Sequence, residues 1–288
     1  MDDSQAQWEA LGETWRDRLA RAGYLADGPL AVTVGLAVEL ARPLLLEGPA
    51  GSGKTYLAEA LARALEREVV RLQCYEGVDA QSALYDWNYH AQLVALQRHH
   101  DINPFDERFL LPRPLMQALT HPKGAVLLVD EVDRSDEAFE ALLLEYLAEY
   151  RISVPEWGTV SARTIPVTIL TSNRTRPLSD ALRRRCLYAY VDWPDPVREA
   201  AIVRHWLPDM PEPLVAALVR AVGCLRAWPL VKPAGLAETL DWARASRALG
   251  YPPWTEAFVG ATLGTVVKDQ VDLEWVRARV GELVEGPP

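Results

Sequence analysis

The stretch Gly48-Pro49-Ala50-Gly51-Ser52-Gly53-Lys54-Thr55 fits the pattern G-x-x-x-x-G-K-[ST] at every position. The pattern restricts the fold sharply, because it works only between a strand and a helix. Residues 43–47 form an apolar, strand-like run, and residues 56–65 carry Ala and Leu at helical spacing. Gly48, Gly51 and Gly53 let the backbone adopt positive φ and come close to a ligand. Successive N–H groups then point inward, at the start of a helix whose dipole favours negative charge. Lys54 is expected to reach β- and γ-phosphates, and the Thr55 hydroxyl to ligate Mg²⁺. The candidate nucleotide-binding residues are Gly48, Pro49, Ala50, Gly51, Ser52, Gly53, Lys54, Thr55 and Tyr56. The implied cofactors are ATP and Mg²⁺.

Periodicity supplies the other elements. Trp8, Leu11, Trp15 and Leu19 recur at three- and four-residue steps, which predicts an amphipathic N-terminal helix. A turn at 23–29 and a helix at 30–40 follow. Further strands are expected at 68–74, 124–131, 165–173 and 186–191, with a hairpin from 151–155 and 158–162. Helices are expected at about 90–97, 115–120, 136–150 and 179–185, with a loop over 103–114. His99 and His100 sit beside Asp101 at a helix end, but no further ligand accompanies them, so exposed histidines are expected rather than a metal site. Pro194-Asp195-Pro196 breaks the pattern, and only helices are expected beyond it. These cover 197–206, 213–226, 236–249 and 254–284, the last broken near 268–271. The expected division is an N-terminal helix and linker at 1–27, a phosphate-loop core at 28–193 and a helical lid at 194–288. Strands joined by helices around a phosphate loop predict a three-layer αβα fold with a parallel sheet.

A second constellation lies downstream. The apolar run 125–129 ends in Asp130 and Glu131. A phosphate-loop enzyme needs an acid at a buried strand end to hold Mg²⁺, and Asp130 fits. Glu131, next to it, is in position to polarise a water against a γ-phosphate. Asn173 ends the following strand, where a neutral amide can hold that water without adding charge. Arg183, Arg184 and Arg185 then offer cations for the charge that develops in the transition state. They are expected to act across a subunit boundary, as arginine fingers; which of the three matters stays open on these residues alone.

Composition narrows the function classes. Across 288 residues the net charge is −10, so phosphate backbones are repelled and nucleic acid is an unfavourable default partner. The three cysteines, Cys74, Cys186 and Cys224, are far apart and form no C-x-x-C. That points to a reducing compartment and a cytoplasmic protein, with the thiols acting as small buried apolar groups. The start, Met1-Asp2-Asp3-Ser4-Gln5, is polar and acidic rather than a signal sequence. The longest apolar stretch, 29–46, carries Glu39 and Arg42, so no membrane span is expected.

Taken together, residues 48–55, 126–131, 169–173 and 181–186 resemble, in order and spacing, the Walker A, Walker B, sensor 1 and arginine-finger elements of the AAA+ ATPases. Residues 42–55, 72–77 (Leu-Gln-Cys-Tyr-Glu-Gly), 85–89 (Tyr-Asp-Trp-Asn-Tyr) and 238–244 are similar to the MoxR branch, and within it to the CoxD type. The resemblance implies a homo-oligomeric ring, usually a hexamer, with ATP held between subunits. It also implies a partner carrying a von Willebrand factor A domain and a metalloenzyme client whose molybdenum–copper site is being matured. Residues 81–97 would hold an insert and 152–165 a hairpin, both facing the pore. Arg185 aligns best with the finger and Arg184 next. One departure concerns sensor 2: Ala234 follows Pro233 where the family usually has Arg, with Lys232 or Arg244 as conceivable substitutes. Two rival functions remain on the same fold: a nucleic-acid motor or loader, and a scaffold that binds ATP but turns it over poorly.

Overall fold

In the computed structural model, residues 2–98, 102–154 and 157–285 are described. Two compact units result. The first comprises residues 1–48 and 54–190; the second comprises 49–53 and 191–288.

The first unit begins with α1 (Asp2–Arg21) and α2 (Gly28–Glu39). These pack together, burying Trp15 and Leu19. Gly35 makes the approach possible, because a Cβ there would lie 2.5 Å from Trp15 Cδ1. Asp27 caps α2, accepting from the Leu30 N–H at 2.8 Å, with Pro29 in the first turn. There follow β1 (Leu44–Glu47), α3 (Lys54–Leu65), β2 (Glu68–Gln73), α4 (Ala80–Ala83), β3 (Tyr85–Trp87) and α5 (Tyr89–Arg98). Next come β4 (Leu110–Pro112), α6 (Pro114–Thr120), β5 (Ala125–Asp130), α7 (Glu137–Glu149), β6 (Arg151–Val154) and β7 (Gly158–Ser161). The unit closes with β8 (Val167–Ser172), α8 (Asp180–Arg185) and β9 (Leu187–Tyr190).

Five strands form one parallel sheet in the order β2-β5-β8-β1-β9. Every residue of β1, β5 and β8 is buried, as expected of parallel strands covered on both faces. Alternation sends Leu127 and Val129 into a core with Leu115 and Met116 of α6 and Phe139 and Leu143 of α7. α3 packs on β2, β5 and β8 through Leu57, Ala58 and Leu61. Each such buried Leu or Val stabilises the fold by about 1.5–3 kcal/mol. The αβα expectation holds. Some elements went unforeseen, among them both strands of a small pair: residues 103–114, read as a loop, contain β4, which pairs antiparallel with β3. Three-residue strands carry no periodicity, and Trp87 against Phe105, centroids 5.5 Å apart, anchors this pair instead.

In the second unit, α9 (Pro196–Trp206), α10 (Glu212–Ala227), α11 (Leu236–Ala248), α12 (Glu256–Thr262), α13 (Gln270–Arg277) and α14 (Val280–Glu285) surround a core centred on the fully buried Trp242. The stretch 254–284, read as one helix with a break, is three helices and a 3₁₀ turn. Asp269 causes the expected break, because its carboxylate accepts from the Val271 and Asp272 N–H groups and starts a new helix. Among the described residues, no helix is long and apolar enough to cross a membrane.

Candidate active site

The strands of the parallel sheet end together, so Gln73, Asp130, Ser172, Glu47 and Tyr190 line one rim of the first unit. Ligands of open α/β sheets bind at this carboxyl edge. The phosphate loop starts there, with the Gly48 N–H donating to the Ser172 carbonyl at 3.2 Å. Gly51 and Gly53 take φ of 72° and 92°, values that need glycine, while Gly48, at 159°, is close to extended. Lys54 opens α3, is buried, and donates through Nζ to the Gly48 carbonyl at 2.9 Å. Burial lowers its pKa, against the opposing pull of the Asp133, Asp130 and Glu131 charges.

Asp130 is buried at the end of β5. Its Oδ1 accepts from the Thr171 hydroxyl at 2.5 Å and from the Thr55 hydroxyl at 3.1 Å. Its Oδ2 accepts from Arg71 Nη2 at 2.5 Å. A carboxylate and a hydroxyl brought together at a helix start are hard oxygen donors, the set that suits Mg²⁺. Thr55 and Asp130, read from sequence as metal ligands, therefore meet.

Glu131 follows in a left-handed conformation, φ 54° and ψ 47°. For a residue with a Cβ that costs about 1–3 kcal/mol, and the Thr171 hydroxyl helps hold it by accepting the Glu131 N–H at 2.9 Å. The Glu131 carboxylate accepts from Gln73 Nε2 at 3.0 Å and Asn173 Nδ2 at 3.4 Å, and pairs with Arg134 Nε at 3.0 Å. Glu131 and Asn173, assigned catalytic roles from sequence, are thus side by side. Asn173 is fixed by the buried Asp133, which accepts its N–H at 3.2 Å and the Thr175 N–H and hydroxyl at 2.8 and 2.7 Å. Burial opposes ionisation of Asp133, but these hydrogen bonds outweigh it and its pKa falls below the ordinary carboxylate value.

The three arginines differ. Ser179 caps α8, and the triplet forms its last turn. Arg183 turns inward to Glu47 at 3.1 Å. Arg184 and Arg185 are exposed, and their carbonyls both accept from Arg42 Nη2, at 3.0 and 2.9 Å. Tyr56, grouped from sequence with the nucleotide-binding residues, turns its ring to Tyr24, centroids 6.3 Å apart, with Arg63 over its face.

Within the second unit, the loop residues 49–53 meet backbone and indole donors. Trp193 Nε1 donates to the Ala50 carbonyl at 3.1 Å, and the Leu236 N–H to the Gly51 carbonyl at 2.8 Å. Gly235 is the residue that permits this, since a Cβ on it would lie 2.8 Å from Gly51 Cα. Of the two conceivable sensor 2 substitutes, Arg244 pairs with Asp241 at 3.1 Å and stacks over Trp206. The Lys232 N–H is held by the buried Asp272 at 2.9 Å. His99, His100 and Asp101 lie outside the described residues.

The description "AAA domain (dynein-related subfamily)" matches residues 43–186, half of the chain. The chain belongs to this AAA family. Lys54, Asp130, Glu131, Asn173 and Arg185 all lie inside the AAA domain. Curated relatives of this AAA protein include an uncharacterized protein of Staphylococcus saprophyticus, 27% identical over 55% of this chain and 58% of its own length. Another, from Staphylococcus epidermidis, is 24% identical over 63% of this chain and 67% of its own length. A third, from Staphylococcus aureus, is 26% identical over 54% of this chain and 58% of its own length. The chain therefore spans little more than half the length of most relatives it matches.

Arg71, Gln73, Thr171 and Glu47 were not read from sequence as site residues. The polar end of the run Val69-Val70-Arg71-Leu72-Gln73 was a usable signal. Only the pairing of Gln73 with Asp130 shows that this end faces the acids.

Proposed function

We propose that this AAA protein hydrolyses ATP and uses the energy to remodel a protein client, as a MoxR-type ATPase. The observation that carries this reading is Glu131 held beside Asn173 and directly after Asp130. A scaffold that only bound nucleotide would not need a carboxylate positioned at this cost. When bound, Mg²⁺ would be held by Thr55 and Asp130 and would neutralise phosphate charge on the substrate. The loop N–H groups and Lys54 bind and orient the triphosphate. Glu131 accepts a proton from the attacking water as the new O–P bond forms and the bond to the leaving diphosphate breaks. Asn173 orients that water. Arg185, or Arg184, supplies positive charge from a neighbouring copy in a ring, for which a hexamer is the family expectation.

The resemblance of the 85–89 and 238–244 motifs to the CoxD type supports a more specific role: maturation of a metalloenzyme, alongside a von Willebrand factor A domain partner in the cytoplasm. The exposed stripe Tyr89, Leu93 and Leu96 on α5 supports a protein client, since residues at these steps share one helix face.

The test compares Glu131→Gln with the unchanged chain for ATP binding and phosphate release. Retained binding with turnover lowered at least about a hundredfold is expected for loss of a general base. Unchanged turnover would overturn the assignment.

A further inference from the structure

The reading of Asp130 as a metal ligand leaves one contact unexplained. Arg71 stands on β2 opposite Leu128, two residues before the Gln73–Asp130 pair, so its side chain shares a strand face with that of Gln73. It runs along the strand and sets Nη2 on Asp130 Oδ2 at 2.5 Å. The same nitrogen donates to Gln73 Oε1 at 2.8 Å, and Gln73 in turn donates to Glu131. Oδ1 already accepts from Thr171 and Thr55, and among the described residues the cation paired with the Asp130 carboxylate is Arg71, on Oδ2.

We propose that Arg71 is a displaceable cationic plug on the metal seat: a divalent ion entering beside Thr55 must compete with the guanidinium for Asp130 Oδ2, so Arg71 sets the Mg²⁺ concentration at which nucleotide is retained. Two physical points support displacement over a permanent structural pair. Asp130 is only 4% exposed but Arg71 is 53% exposed, so the guanidinium can swing into water while the carboxylate stays put. An ion pair with one partner this exposed is held weakly. A guanidinium left in place would also sit a few ångströms from a divalent charge in a partly desolvated rim, where repulsion is strong.

This proposal rests on Asp130 being the metal ligand, and the experiment separates the two. Mg²⁺ is titrated into the full chain with a fluorescent ATP analogue, and the half-saturating Mg²⁺ concentration is read from nucleotide retention, not turnover. Arg71→Gln should lower that concentration by about three- to tenfold, the size expected for removing one partly screened charge. Arg71→Lys, which keeps a cation but loses the planar fork, should fall between. A half-saturating concentration that stays the same or rises in Arg71→Gln overturns the plug and makes Arg71 a residue that merely positions Asp130. If Asp130→Asn also leaves the Mg²⁺ dependence unchanged, the metal-ligand reading fails with it. Thermal melts of each variant guard against misfolding, and if Arg71→Gln does not fold, the Arg71→Lys shift decides alone.

Discussion

Arg183 Nη2 lies 3.1 Å from the Glu47 carboxylate, and that contact separates it from the two arginines that follow it. Glu47 is buried at the end of β1 and also accepts from the Tyr188 hydroxyl at 3.1 Å. Arg183 is therefore committed inside its own chain, whereas Arg184 and Arg185 are presented outward with their backbone clamped by Arg42. Arg183→Ala should leave a buried carboxylate short of its main cation and lower stability by about 1–3 kcal/mol. Arg185→Ala should leave stability within about 0.5 kcal/mol but cut turnover about a thousandfold or more. Paired melts and phosphate-release assays check this. In mixtures, Arg185→Ala and Glu131→Gln copies should restore some turnover, because each can supply what the other lacks. No recovery would remove the arginine from the neighbouring copy's site.

Lys54 gives a prediction with the opposite signature. It is buried and its charge is disfavoured by that burial, so Lys54→Ala removes an awkward charge from the free protein while removing the cation that meets phosphate. ATP binding should fall at least about a hundredfold, of the order of a lost charge-assisted contact to phosphate. The melting temperature without nucleotide should not drop. Calorimetric titration with ATP and a melt of the same sample test both halves.

Asp133 links stability to acid. Its folded pKa is depressed, so its contribution is fully present above the unfolded value, near 3.8, and is lost as pH falls through the lower folded value. Asp133→Asn should be less stable than the unchanged chain at pH 7, and the gap should close below about pH 4. Because Asp133 fixes Asn173 and Thr175, turnover should also fall at pH 7, with the loss in kcat rather than in nucleotide binding. Urea melts across pH and steady-state kinetics check it.

Much of this site is written locally in the sequence. The loop, Asp130-Glu131 and Asn173 each sit at the end of an apolar run, and run ends in a parallel sheet converge on one rim. What local pattern could not supply was lateral register. Gln73 reaches Glu131 only because β2 pairs with β5, and Thr171 reaches Asp130 only because β8 lies on its other side. Neither spacing nor composition records which strands are neighbours. Glu47 was hidden differently: a carboxylate ending an apolar strand looks solvated until Arg183, 136 residues later, is seen against it. The β3–β4 pair was lost because three residues are too few to show alternation. In the last helical stretch only the break near 268–271 was legible, because the 3₁₀ turn at Leu263–Thr265 and the step from α13 to α14 carry no proline to mark them.

The cysteines provide a measurement that needs no nucleotide. Cys74 and Cys186 are buried, and burial pushes each thiol up to about 12. Cys224 is partly exposed on α10, in an apolar groove against Pro196, Val197 and Ala200 of α9, and although burial raises its thiol as well, a reagent can reach it in the folded chain. Thiolate is the reactive form, so at pH 8 a maleimide should modify Cys224 first, and Cys74 and Cys186 only on unfolding. The sign of the stability effect follows from the same shifts. Below the unfolded thiol value of 9 both states are protonated and burial contributes in full. Between that value and about 12 the unfolded chain ionises while the folded one cannot, so each pH unit costs about 1.4 kcal/mol per buried thiol. The unchanged chain should therefore lose stability above pH 9, and Cys74→Ala should lose it less steeply although it starts lower, having given up a well-packed sulfur. Urea melts between pH 8 and pH 11 read the slope directly; parallel slopes for the two chains would mean that Cys74 ionises freely in the fold and is not sealed in its core.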